Sequence, residues 1–170
     1  DFEYLMPEDR DAFSDFVRAL KAQLASEKLV LLLALPPKIC RDQTGLLCEA
    51  HDFRVLGRNA DLCVLKNASV ALGAPSALAD IGRMNEAVRY AVSEIPAKKL
   101  LCSLPAGGLQ WALPWHQGQR ARPLAGAQAA EQAVQVGAPV RYDEAAQAAH
   151  YNFWRGGTEQ EVWFEDARSY

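Results

Sequence analysis

The hydrophobic positions of the chain switch repeatedly between two spacings. Phe13, Phe16, Val17, Leu20 and Leu24 recur at three and four residues, which predicts a helix with one apolar face over about residues 8–25. Pro7 suits its first turn, and Glu8, Asp9 and Asp11 suit the positive end of its dipole. From Lys28 to Pro37 the chain is continuously apolar, as in a strand covered on both faces within a parallel sheet. A helical or irregular segment is expected over about 44–56, followed by a short buried strand, Ala60 to Lys66. The alternation goes on with a helix over about 76–95, a strand from Lys98 to Pro105, a long loop rich in Gly, Pro and Trp, and an Ala-rich helix over about 126–136. Near the end "VRYDE", "HYNFW" and "EVWFED" read as three short strands, with "RGGT" the hairpin turn between the last two. The first residues read as a strand as well. Strand and helix alternate throughout, so the fold class is α/β, built of βαβ units. With 170 residues and no linker, low-complexity tract or repeat, residues 1–170 read as a single domain.

Composition narrows the function more than the fold. The net charge is −3, with no basic stripe and no alternation of Lys or Arg with aromatics, which argues against nucleic acid as a partner. The longest apolar run, Leu29 to Pro37, is too short to span a bilayer and too interior for a signal peptide. Cys40, Cys48, Cys63 and Cys102 form no CxxC and read as buried free thiols, with a Cys63–Cys102 pair across neighbouring strands as the alternative. Cys48 and His51 lie three apart, but two candidate ligands without a third and fourth make no metal site. No cofactor is implied, and GxSxG, GxxxxGK[ST], GxGxxG and HExxH are all absent from the sequence.

The chemistry concentrates at the very start. Asp1 and Glu3 are two apart on an expected strand, so they point to one face, about 7 Å apart along it. Acids at the carboxyl end of a barrel strand suit catalysis, whereas a solvated strand end beside an acidic helix start is the plain alternative. The surrounding wording decides between them. "DFEYLMPEDRDAFSDFVRALKAQL", "LVLLLALPPK", "EAHDFRVLGRNADLCVL", "IPAKKLLCSLPAGGLQW" and "EVWFEDARS" together resemble the second half of a glycoside hydrolase family 18 domain. The chitinase-like branch of spore-cortex and cell-wall enzymes, often joined to LysM repeats, is the one it is most similar to.

The resemblance implies a partial (β/α)8 TIM barrel, roughly strands four to eight, with a small β-hairpin insertion before the last strand at about 159–166. Its fourth strand would carry the last two acids of DxxDxDxE. That gives Glu3 the role of general acid and Asp1 that of orienting the substrate's own 2-acetamido group, which serves as nucleophile. Family 18 is one of the substrate-assisted exceptions to the two-carboxylate scheme. Trp163 would be the aromatic floor of the sugar site. Trp111 and Trp115 would line the cleft or anchor their loop. Gln110 stands where the run after strand seven has an acid. Glu165 and Asp166 would reach the cleft mouth or pair with Arg168. Trp154 reads as structural, and His51, His116 and His150 as surface or core residues.

The chain departs from the family pattern on the active-site face. After strand six an M-T-Y-D-W-like run is expected, and Leu65 to Val70 reads "LKNASV", with Ala68 and Ser69 at the Tyr and Asp positions. After strand seven a G-I-P-x-Y-G-Y-D-W-like run becomes "SLPAGGLQW", Ser103 to Trp111: Pro105, Gly108 and Trp111 are kept, Gly107 replaces the first Tyr and Gln110 the acid. The resemblance thus implies a hydrolase of β-1,4-linked N-acetylglucosamine polymers, in peptidoglycan or chitin, weak or inactive as this isolated chain. A non-catalytic carbohydrate-binding or half-barrel scaffold is the rival, and a fragment without function of its own a third reading. Association with a second copy or a complementary half-barrel would satisfy open sheet edges. The parent protein is expected outside the cell, at the cell wall or spore, without membrane insertion.

Overall fold

The computed structural model describes residues 1–66, 74–79 and 81–169, which form two compact units. The first comprises residues 1–68 and 83–103, the second residues 69–82 and 104–170. The expected departures at Ala68 and Ser69 lie outside the described residues.

In the first unit a 3-10 turn, Pro7–Asp9, runs into helix α1, Arg10–Ser26, confirming the proline-led, acid-rich start. Strand β1 is Leu32–Leu35, helix α2 Phe53–Asn59, strand β2 Leu62–Leu65, helix α3 Ile81–Glu94 and strand β3 Leu100–Cys102. The strands form a parallel sheet in the order β1-β2-β3, with Leu33 opposite Cys63 and Cys63 opposite Leu100. Phe13 and Val17 of α1, Phe53 and Leu56 of α2, and Met84, Ala87 and Ala91 of α3 bury Leu33, Leu35, Cys63 and Leu65. Asp52 caps α2 by accepting the Val55 N–H at 3.1 Å, so the helix starts where its first buried ring is needed.

Three expectations for this unit change. The strands are not covered on both faces: Leu33 and Leu35 are buried, whereas Leu32 is 47% and Leu101 49% exposed. An all-apolar strand marks both faces as apolar but not both as covered. Residues 1–4 form no strand, because a strand exists only as a ladder partner and the described ladder ends at β1. Phe2 instead packs against Phe13 and Phe16 of α1 at ring distances of 5.4 and 5.5 Å. The cysteines are all free, and Cys40 and Cys102 are exposed rather than buried. Cys102 sits opposite Leu65, two residues past Cys63, so the register does not oppose the two thiols. Burial pushes the Cys63 thiol up to about 11.

The second unit is a five-stranded sheet in the order β5-β4-β8-β7-β6, and every pairing is antiparallel. Its strands are β4, Gly107–Leu113; β5, Arg122–Ala125; β6, Arg141–Asp143; β7, Ala148–Arg155; and β8, Thr158–Phe164. Helix α4, Gly126–Val136, lays Ala129 and Ala133 on Ala149, Tyr151, Phe153, Val162 and Phe164. Gly137 ends it in the left-handed region at φ 65°. Gly156 and Gly157, both at positive φ, turn β7 into β8 as "RGGT" predicts.

Residues 159–166 therefore do not form a parallel barrel strand. Residues 158–164 are the middle of an antiparallel sheet, with Leu109 on one side of Trp163 and His150 on the other. Much of the long loop expected after Pro105 is also ordered strand. Its glycines hid it: a Cβ at Gly108 would meet the Trp163 carbonyl at 2.6 Å, so close strand approach requires the residue that weakens a strand signal. The class is mixed α/β as expected, and the described residues contain no closed barrel.

Candidate functional site

Asp1 and Glu3 converge on one cation. Lys66 follows β2 directly, and its backbone N–H donates to the Leu35 carbonyl at 2.8 Å, which fixes it at the carboxyl end of the parallel sheet. Its ammonium contacts Asp1 Oδ2 at 3.1 Å and also Glu3 Oε1. Between the two acids, Phe2 turns the opposite way onto α1. The alternation expected from a strand is kept although no ladder is formed.

The carbonyl of Phe2 faces His51 Nε2 at 3.3 Å, and His51 is buried with its ring edge-on to Phe13. Burial holds the His51 imidazole below its ordinary value. Cys48 and His51 do not converge as ligands. Their backbone carbonyls accept from Lys38 Nζ, both at 3.3 Å, and the Cys48 thiol lies near the Gln43 and Thr44 carbonyls. Burial lowers the Lys38 amine and raises the Cys48 thiol. Among the described residues, no three His, Cys, Asp or Glu side chains group as metal ligands.

In the second unit, strand alternation sorts the remaining candidates. Trp111 and Trp163 share the sheet face away from α4, because Trp111 opposes Glu161 while Trp163 opposes Leu109. Trp163 stacks on His150 at 4.5 Å and 17°, and its indole N–H donates to Glu161 Oε1 at 2.7 Å. Trp111 is buried, and its indole N–H has no partner among the described residues. Gln110 takes the other face, where its Nε2 donates to Gln160 Oε1 at 2.8 Å. Trp154 is 71% exposed, so it anchors no packing as a structural residue would.

Glu165 is buried just beyond β8 and accepts the Ala79 N–H at 3.2 Å. Arg168 pairs with Asp166 at 2.6 Å. Glu165 lines an open depression of about 510 Å³ with Ala106, Gly126, Ala130 and Phe164. Burial pushes its carboxyl up. A carboxyl raised in the folded state favours folding while protonated, so its contribution is complete below the ordinary carboxylate range and is lost as pH rises through the raised value. Glu165→Gln is therefore expected to stabilise the chain at neutral pH and to match the parent at acid pH. Urea unfolding of both chains from pH 4 to 8 measures this, and a stability difference that does not change with pH contradicts it.

Lys66, His150 and Glu161 escaped the sequence reading. A lysine placed immediately after an apolar strand was the visible signal for the first. The other two needed the cross-strand register.

The comparisons agree with the wording of the sequence. No family model matches the chain. The chain is 37% identical to the cortical fragment-lytic enzyme of Bacillus cereus and 38% to that of Bacillus subtilis, over 99% of its own length and 40% of theirs. It superposes on the crystal structure of the Bacillus cereus spore cortex-lytic enzyme SleL with a TM-score of 0.94 and 37% identity, covering 40% of that chain. The chitinase of Chromobacterium violaceum follows at 0.89 and 28%, with 53% covered. These likenesses agree with the resemblance to chitinase-like, spore-cortex enzymes read from the sequence. It spans about two fifths of the length of the curated relatives it matches. The superposition takes in 99% of the chain, so the antiparallel second unit as well as the parallel sheet belongs to this likeness.

Proposed function

We propose that the chain is the acid-bearing part of a family 18-type glycosidase acting on β-1,4-linked N-acetylglucosamine polymers, in spore-cortex peptidoglycan or chitin. The observation that carries the reading is the pairing of Asp1 and Glu3 on one side of the opening segment, within a chain 36–38% identical to cortical fragment-lytic enzymes. In this reading residues 1–3 stand for barrel strand four, β1, β2 and β3 for strands five to seven, and the second unit for the insertion that follows, all within one family 18-like domain.

Glu3 would protonate the departing glycosidic oxygen, and Asp1 would orient the substrate's acetamido group toward the anomeric carbon. The retaining outcome follows from two displacements, first by that acetamido oxygen and then by water. Trp163 would serve sugar binding, offering a ring whose tilt is set by His150 and Glu161. Gln110 faces the other side of the sheet, Trp111 is buried, and Glu165 lines the depression beside α4, so none of these three shares that ring's face as an open contact. The parent protein would act at the spore or cell wall. No helix among the described residues is long and apolar enough to cross a membrane.

Titration calorimetry with N-acetylglucosamine oligomers tests the binding half of this reading. Binding lost in Trp163→Ala supports it, and no binding by the parent chain sinks it. Binding that Trp163→Ala leaves unchanged overturns the placing of the sugar on that ring.

A further inference from the structure

We propose that Lys66 is a built-in counter-ion that keeps Asp1 and Glu3 ionised together, and so decides whether Glu3 holds a proton to donate. The inference rests on the reading of Glu3 as the acid. It is independent of which glycan is bound.

The geometry is that of one ammonium between two carboxylates. Lys66 Nζ lies 3.1 Å from Asp1 Oδ2 and also contacts Glu3 Oε1, while its backbone is tied to Leu35 at the sheet. Among the described residues, the charged groups in contact here are the carboxylates of Asp1 and Glu3 and the ammonium of Lys66. The neighbouring side chains of α1, Phe13 and Phe16, are apolar and hold Phe2. Two carboxylates close together oppose each other's ionisation, and an ammonium in contact with both removes that opposition. A general acid must carry its proton at working pH. A lysine bridging the pair works against that, and the surface exposure of the three groups (34–50%) moderates the effect without reversing its sign.

Lys66 is thus a positioning residue. It holds the two side chains on one point and selects their charge state, acting on the reaction only through these two carboxyl groups.

Carbon-13 NMR titration of the side-chain carboxyls in the full 170-residue chain tests this, with Lys66→Met and Lys66→Arg beside the parent. In Lys66→Met the first proton taken up by the Asp1–Glu3 pair is expected to bind about one pH unit higher than in the parent. Lys66→Arg, which keeps a cation in reach of both acids, should titrate like the parent. Parent-like titration of a folded Lys66→Met chain overturns the proposal. If Lys66→Met does not fold, the parent decides: raising the salt concentration screens the bridge and should move the same titration upward, and a midpoint indifferent to salt overturns the proposal. Oligomer binding is not needed for either measurement, so failure of the glycan reading stays separate from failure of this one.

Discussion

Truncating Phe53 to Ala is expected to cost about 3–5 kcal/mol, enough to bring a marginally stable unit close to unfolding. Phe53 opens α2 and is 1% exposed, with its ring 5.4 Å from that of Tyr90 on α3. It belongs to the same buried cluster as Leu35 of β1 and Leu65 of β2. The short helix has seven residues and cannot hold itself together, so its position depends on this ring and on the Asp52 cap. Removing the ring leaves a cavity bounded by regular elements that have little freedom to collapse inward. Native-state hydrogen exchange measures the effect, with the amides of β1 and β2 reporting on the damaged unit and those of β7 and β8 as internal reference. A loss below about 1 kcal/mol would show that the cluster repacks around the gap.

The sequence carried the local structure of this chain better than its pairing. Helix α4 has the bounds expected of it, and the double glycine at 156–157 turns the hairpin as read, because both signals are local. The strand reading of residues 159–166 found a real strand and gave it the wrong neighbours. Periodicity says that Val162 and Phe164 face one way and Trp163 the other. It says nothing of whether the adjacent chain runs parallel or antiparallel. Strand β4 escaped for a related reason. Gly107 and Gly108 lower the apparent strand propensity, yet the close approach of β8 is what excludes a side chain at Gly108.

The candidate site divides along the same line. That Asp1 and Glu3 share a side followed from their spacing. That a lysine sixty-odd residues away meets both depends on the register of β1 with β2, which delivers Lys66 past the end of the sheet. The aromatic face was half legible: Trp163 and Trp111 were picked out, whereas the stacking partner His150 came from the cross-strand register. Gln110, one residue from Trp111, goes to the opposite face, as alternation along a strand requires once β4 is recognised as a strand.

On its own, this 170-residue chain is expected to leave N-acetylglucosamine oligomers uncleaved or nearly so. Substrate-assisted attack needs the acetamido oxygen held within reach of the anomeric carbon, and orientation of this kind can account for many orders of magnitude in rate. By resemblance, the groups that would hold it are a Tyr and an Asp after strand six and a Tyr after strand seven. Ala68, Ser69 and Gly107 stand there instead, and none of the three can supply a phenol or a carboxylate. Losing one positioned donor of this type costs on the order of 100- to 1000-fold. Losses of this size on a single substrate group carry turnover toward the uncatalysed rate even before the protonation state of Glu3 is considered. If Lys66 holds Glu3 ionised as proposed, that state adds to the deficit, because a general acid must carry its proton. Chromatography of a long incubation with a GlcNAc hexamer provides the measurement, with Glu3→Gln as the blank. Turnover by the parent chain that vanishes in Glu3→Gln would show that the missing donors are dispensable and would at the same time fix Glu3 as the acid.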